Sequence, residues 1–296
     1  MKEKSLFPKV PDQHKPNKPL IPNGLGIIYV LVSVVHIFLI YSFDIVRVSN
    51  GVSPSLTLAV SILFGGFLGL LDDWIDLKWR LKACLPLIAA IPLVSFVYIS
   101  GGARTMIALP FLGTVDFGIP FYCFIIIPIL VTIITNTVNM LGGLNGLETV
   151  CPAIIMMGLM TVSGSNAILL ICPMITWLTL AFFNFRGKIF VGNSGSFAIG
   201  MTLAAFAVIS DRKFDLTISI LPYVFNSSLI LLTFFFYKKK ANVSFDGEKL
   251  ASDHRRSLIT LITYHRPLTE RQVVTIISLF VAASTAVALL LSRLPS

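Results

Sequence analysis

Two asparagines three residues apart close a long apolar run, followed by a glycine-rich turn and a third amide. They are Asn136, Asn139 and Asn145 in the stretch NTVNMLGGLNGLE, which ends at Glu148. An amide in a bilayer is costly unless it finds partners there. Positions i and i+3 share one helix face, so Asn136 and Asn139 can address a common ligand. Gly142, Gly143 and Gly146 remove side chains where a backbone would have to approach a substrate closely. The competing reading is a helix stopping at an ordinary Asn-Gly turn, which leaves the other amides and Glu148 without a purpose.

Three further stretches carry chemistry. In LDDWIDLKWRLK, Leu71 to Lys82, Asp72 and Asp73 directly follow an apolar run and Asp76 lies one helical turn on. Carboxylates this close repel unless a cation or proton intervenes, which suits a hard divalent metal. Lys78, Arg80 and Lys82 follow and could neutralise phosphates. The plainer reading is a solvated loop, with Trp74 and Trp79 as interfacial anchors. In FNFRGKIFVGNSGS, Phe183 to Ser196, Gly-Asn-Ser-Gly opens the next apolar run. A helix amino terminus offers free N–H groups to an anion, although Asn193 or Ser194 could be a simple cap. Phe190 could stack on a nucleobase or merely pack. The segment 237–271 holds Lys238, Lys239, Lys240, Asp253, His254, Arg255, Arg256, His265 and Arg266. It reads either as a nonspecific binder of anionic headgroups or as a clamp for a diphosphate.

What must position these residues is largely apolar. Of 296 residues, 55% are hydrophobic and 12% charged, against about 25% charged in a soluble domain; the mean hydropathy is +0.87. The chain is therefore expected to be a polytopic, all-α membrane helical bundle forming a single domain over 1–296. With about 20 apolar residues per span, nine spans are expected: 24–43, 55–71, 83–99, 120–140, 147–163, 166–183, 195–210, 216–236 and 272–292. Segment 101–119 has a glycine turn and weak alternation, and predicts a short surface hairpin. Met1 to Asn23 is polar and proline-rich and shows no secretory signal. Cys84, Cys123, Cys151 and Cys172 sit in apolar runs without metal or redox spacing and are expected to be small core residues. The net charge of +9 does not imply nucleic acid, because the basic residues form no surface separate from the spans.

Span parity sorts the charges. Segments 1–23, 72–82, 141–146, 184–194 and 237–271 share one side and hold eighteen of the 23 Lys and Arg residues. The other side has only Arg47, Arg104, Arg212, Lys213 and Arg293. That asymmetry places the first group in the cytoplasm, so the chemistry-bearing loops all face one compartment.

In order along the chain, IPNGLG (21–26), LDDWIDLKWRLK (71–82), NTVNMLGGLNGLE (136–148), FVGNSGS (190–196) and PYVFN (222–226) resemble the polyprenyl-phosphate N-acetylhexosamine-1-phosphate transferases. That superfamily includes the MraY and WecA types and the dolichyl-phosphate GlcNAc-1-phosphotransferases. The small residue at Gly142, the Asn145-Gly-Leu-Glu run and Leu77-Lys78-Trp79-Arg80 are closer to the eukaryotic pattern than to the bacterial one. The resemblance implies transfer of GlcNAc-1-phosphate from UDP-GlcNAc to a polyprenyl, dolichyl-type, phosphate with release of UMP, and it implies Mg2+. This would be the first membrane step of lipid-linked glycan assembly, in the cell membrane of a prokaryote or the endoplasmic reticulum of a eukaryote.

Residue by residue, Asp72 and Asp73 match the family's aspartate pair, one of which deprotonates or positions the acceptor phosphate. Lys82 matches a pyrophosphate-binding lysine, Asn139 a metal ligand, Asn145 the uracil contact and Phe190 the stacking aromatic. Asn136, Glu148, Lys238, Lys240, His254 and Arg255 complete the expected substrate-binding set, the lysines standing where the family has a short basic diphosphate motif. Two features depart from the pattern: the family's first transmembrane helix is missing, and its metal-binding aspartate is Asn193 here, which keeps a carbonyl ligand but loses a charge. A catalytically weakened member, and a transporter or lipid-binding membrane protein, are the rival readings. Paired interrupted helices in related halves, which transporters show, are not visible. A homodimer is one of the assemblies left open.

Overall fold

The computed structural model describes residues 6–46, 48, 51–101, 105–109 and 113–293. A short hairpin, β1 (Lys9–Pro11) with β2 (Leu20–Pro22), leads into α1 (Gly26–Ser42) and α2 (Pro54–Ile75). The chain continues through α3 (Trp79–Ala89) and α4 (Ile91–Ser100) to a second hairpin of β3 (Met106–Leu109) and β4 (Gly113–Asp116). Next come α5 (Ile119–Phe121), a π turn at Tyr122–Ile126, α6 (Ile127–Met140) and α7 (Leu147–Val162). A 3-10 segment, Gly164–Leu170, opens into α8 (Ile171–Phe185), and α9 (Gly192–Ile209) and α10 (Lys213–Ser219) follow. The chain closes with α11 (Leu221–Tyr237), a hairpin of β5 (Ser244–Phe245) and β6 (Leu250–Ala251), α12 (Leu258–Thr263) and α13 (Glu270–Leu291).

Each of the nine expected spans is an apolar helix or helix pair, so the protein is a multi-pass helical membrane protein. Six are long and apolar enough to cross by themselves: Pro54–Ile75, Trp79–Ser100, Ile119–Met140, Gly164–Phe185, Gly192–Ile209 and Glu270–Leu291. Expected span 216–236 is instead α10 and α11, bent by 55° at their junction. Pro222 lies in the first turn of α11, where its missing N–H cannot continue the bonding of α10, and Ile220 between the two helices is non-helical. The remaining two, α1 and α7, have 17 and 16 residues, somewhat short of a bilayer core about 30 Å thick. Outward-facing Leu31, Phe67, Ile88, Phe124, Ile175 and Leu290 are exposed on this bundle, as a lipid-facing surface requires.

The centre of the bundle is α9, buried on every side from Ser194 to Ile209. Its longest interface is with α2, and small residues let the backbones touch. A Cβ on Gly69 of α2 would stand 2.1 Å from the Asn193 carbonyl oxygen. One on Gly26 of α1 would stand 2.1 Å from Gly195 Cα. Polar side chains cross between spans: Tyr29 donates to Thr202 Oγ1 at 2.8 Å, and Trp177 Nε1 donates to the Thr149 carbonyl at 2.8 Å. Cys123 and Cys151 are buried as expected, but Cys84 is exposed on α3.

The hairpin predicted within 101–119 is present as β3 and β4. Thr105 Oγ1 and the Gly118 N–H donate to Asp116 Oδ1 at 2.7 and 2.9 Å, which holds that carboxyl below the usual carboxylate range. Lys213, at the far end of α9 from Asn193, donates to the Met106 carbonyl at 3.2 Å and pairs with Asp211 at 2.5 Å. Arg47 and Arg104, counted with Lys213 as opposite-side charges, lie outside the described residues.

Candidate functional site

The five loops expected on one side do meet at one end of the bundle, and α2 supplies the first pair of groups. Its last turn buries Asp72, which is 3% exposed. Asp76 then takes a left-handed conformation, φ 46°, and ends the helix. The chain folds back through Leu77 and Lys78 into α3, which returns Lys82 toward the same carboxylate. Asp72 Oδ1 accepts from the Leu77 N–H at 3.0 Å and from Lys82 Nζ at 2.8 Å, while Asp72 Oδ2 is buried without a partner. Asp73, next in sequence, faces the other way. Its Oδ1 and Oδ2 accept the N–H groups of Asn193 and Ser194, each at 2.9 Å, where α9 begins. The helix dipole favours a carboxylate there. The aspartate pair is thus relieved by a lysine and a helix terminus. Among the described residues no group of three His, Cys, Asp or Glu side chains comes together, and the lysine and the helix terminus are the positive partners that the structure gives the pair.

The expected metal ligands do come together. Asn139 Nδ2 donates to Asn193 Oδ1 at 2.9 Å and to Ser196 Oγ at 2.8 Å. These are neutral oxygen donors of the kind a hard cation takes together with water. Asn136 and Asn139 share a face, as their spacing requires, and both line a cavity of about 570 Å³ between α3, α6 and α11. Asn136 also donates to the Thr132 carbonyl at 2.9 Å. Trp79, Ile133, Leu231 and Phe234 make the cavity's apolar wall, and Lys82, Lys239 and Lys240 bring positive charge to it. Trp79 is therefore more than an interfacial anchor, whereas Trp74 is 81% exposed.

Asn145 lies in a different cluster. Its Nδ2 donates to Asp12 Oδ2 at 2.7 Å and to Glu270 Oε1 at 3.1 Å, and its backbone N–H donates to Glu270 Oε1 at 2.7 Å. Lys15 closes the group with a 2.6 Å ion pair to Glu270. Asn184 holds the same loop by accepting from the Gly146 N–H at 2.8 Å. Glu148 is half-buried in the first turn of α7 and its carboxyl lies beside Gly142. The half-buried Phe190 is fixed through its backbone: its N–H donates to the Pro22 carbonyl at 2.8 Å, and its carbonyl accepts from Leu25 at 3.2 Å.

The basic loop divides. Lys240, His254 and Arg256 line a second cavity of about 550 Å³ with Asn242, Ser252 and Asp253, and Lys240 lines both cavities. Lys238 instead ends α11 in a left-handed turn and lines neither. Arg255 lies over the Tyr264 ring at 4.3 Å and bonds His265 Nε2 at 2.8 Å. Those two are thus not brought into the cavities, for which Lys239 and Arg256 stand in. Asn226 of PYVFN secures the loop, accepting from the Leu258 N–H at 2.9 Å and donating to the Met140 carbonyl at 3.2 Å.

Sequence reasoning missed Asp12, Lys15, Asn184, Ser196, Asn226 and Glu270. Asn184, Ser196 and Asn226 lie in stretches already singled out, and Ser196 also stands three residues after Asn193 on one helix face. One bent helix pair is present among the described residues, so the structure adds nothing to a transporter reading, which expects such breaks in related halves.

Comparison with known proteins bears on this arrangement. Residues 55–211 match the family model described as Glycosyl transferase family 4. The chain is 34% identical over 280 residues to a Saccharolobus solfataricus protein named "Putative UDP-N-acetylglucosamine--dolichyl-phosphate N-acetylglucosaminephosphotransferase", covering 90% of this chain and 82% of that one. It is 28% identical over 245 residues to the UDP-N-acetylglucosamine--dolichyl-phosphate N-acetylglucosaminephosphotransferase of Dictyostelium discoideum, covering 70% and 59%. It is 27% identical over 235 residues to the phospho-N-acetylmuramoyl-pentapeptide-transferase of Streptococcus uberis, covering 74% and 69%.

Proposed function

The chain belongs to glycosyl transferase family 4, and from that premise we propose that it transfers GlcNAc-1-phosphate from UDP-GlcNAc to a dolichyl-type polyprenyl phosphate. The observation that carries this reading is a pair of unlike cavities that share Lys240 in their linings. One is walled by Trp79, Ile133, Leu231 and Phe234 and ends in lysines, which suits a lipid chain with a phosphate head. The other is lined by Lys240, His254 and Arg256 and suits a charged, water-soluble donor.

In the reaction an acceptor phosphate oxygen bonds to the β-phosphorus of UDP-GlcNAc. The bond from that phosphorus to the α–β bridging oxygen breaks, and UMP leaves. Two anions must be aligned and their charge offset. Lys82 draws the acceptor phosphate into the apolar cavity, and Asp72 fixes the ammonium from behind. A phosphate monoester has a second pKa near 6 and is mostly dianionic at neutral pH, so no strong base is needed to prepare it. That supports Asp72 and Asp73, which line neither cavity, as positioning rather than proton-abstracting groups. Asn139, Asn193 and Ser196 would hold Mg2+, which when bound offsets diphosphate charge. Asp73 keeps the backbone of Asn193 in place for that purpose.

The site faces the cytoplasm in this reading, as the basic loops require. Incubating the purified protein with UDP-GlcNAc, dolichyl phosphate and Mg2+ should release UMP and form a lipid-linked sugar diphosphate. If UMP release does not depend on dolichyl phosphate, the transferase reading fails.

A further inference from the structure

Asn145 is held in a way its sequence context does not explain. A side-chain amide has two N–H donors at one end and a carbonyl acceptor at the other. Both donors are taken by carboxylates, Asp12 Oδ2 at 2.7 Å and Glu270 Oε1 at 3.1 Å. Ionised carboxylates only accept, so turning the amide over would set its oxygen against two anions. Glu270 Oε1 also receives the Asn145 backbone N–H at 2.7 Å, which pins the residue at both ends. The amide therefore has one orientation. Its remaining group, Oδ1, is buried without a partner in a residue only 4% exposed. A buried acceptor left unmet is costly, and a ligand that completes it has to bring an N–H.

The surroundings point to the kind of ligand. Asp12 belongs to the same amino-terminal segment whose residues Pro22 and Leu25 hold the backbone of Phe190. One stretch of chain thus braces a fixed carbonyl acceptor and an aromatic ring. Uracil has an imide N3–H to give, whereas cytosine has a lone pair at N3. Resting on the UDP-sugar reading above, we infer that Asp12 and Glu270 are specificity-determining positioning residues. They lock the Asn145 amide so that its oxygen accepts the imide N–H of uracil and excludes cytosine. Lys15, which passes Gly187 and pairs with Glu270 at 2.6 Å, is the partly exposed member of the cluster.

The test is competition by UMP, CMP and N3-methyl-UMP against UDP-GlcNAc on the full-length protein. The wild type should favour UMP over both others by at least about tenfold, because a site built around an N–H rejects an analogue lacking it. In the double variant Asp12→Asn/Glu270→Gln the amide can turn over, and the UMP/CMP ratio should drop at least about fivefold, with KM for UDP-GlcNAc rising more than kcat falls. Asp12→Asn alone should lower the ratio partway, and it serves if the double variant does not fold. Lys15→Met breaks the ion pair without touching Asn145 and should keep the ratio. A folded variant that weakens UMP and CMP equally, or a ratio lost in Lys15→Met as well, overturns the inference while leaving the transferase reading intact. A wild type that binds none of the three nucleotides overturns both.

Discussion

Asp72 and Asp73 are consecutive in sequence but serve different partners: Asp72 receives the Lys82 ammonium at 2.8 Å, and Asp73 receives the N–H groups of Asn193 and Ser194, each at 2.9 Å. The two substitutions should therefore separate. Asp72→Asn leaves the shape intact but releases Lys82, and UMP release should fall at least about tenfold, corresponding to about 1.4 kcal/mol, with thermal unfolding close to wild type. Asp73→Asn keeps one acceptor for two donors and should also cost about 1 kcal/mol of stability, the scale of a helix cap. Equal melting temperatures for both variants would refute the division.

Asn193→Asp returns a negative charge beside Asn139 without removing the acceptor of its Nδ2. The Mg2+ concentration for half-maximal UMP release should fall, since a hard cation binds a carboxylate more strongly than an amide. A Mg2+ titration of both proteins checks this, and identical curves would exclude position 193 from the ligands.

Gly69→Ala should be among the most damaging single-methyl changes in the protein. Its Cβ would lie 2.1 Å from the Asn193 carbonyl oxygen, in an interface too tight to yield. Overpacking of this sort costs about 1–3 kcal/mol. The neighbouring Leu70→Ala, on an exposed position, is the control. Thermal unfolding in detergent should show a marked loss for the first and little for the second, and comparable melting points would mean that the helices can part.

Single cysteines at positions 82 and 240, in a background lacking the four native ones, should react with an impermeant reagent from the same side of sealed vesicles. Both residues line one cavity. Labelling from opposite sides would contradict the arrangement of spans.

The apolar spans were legible because lipid imposes a length and a composition on each helix, whatever its partners. The pairing of Asn139 with Asn193 was legible from motif resemblance. Less visible was the break before Leu221, where Pro222 in an apolar run reads equally well as the start of a helix or the middle of a span. Asp12 and Glu270 left no trace, because they meet only through Asn145, and Glu270 looks like any acidic residue in a first helical turn. Lys238 and Arg255 were misplaced because charge in a loop says which side of the membrane it occupies, not which way each side chain turns. The left-handed turn at Lys238 and the Tyr264 ring decide that.

The ion pair between Lys15 and Glu270 joins residues 255 apart in sequence. During synthesis the segment holding Asp12 and Lys15 emerges well before its partner at the head of α13. Until then Asp12 and Lys15 have no Glu270 to close upon, and the Asn145 amide lacks one of its two anchors. A nascent chain that has not yet inserted α13 therefore holds the Asn145 cluster with one anchor missing. Removing α13 would remove Glu270 and leave the Asn145 amide held by Asp12 alone.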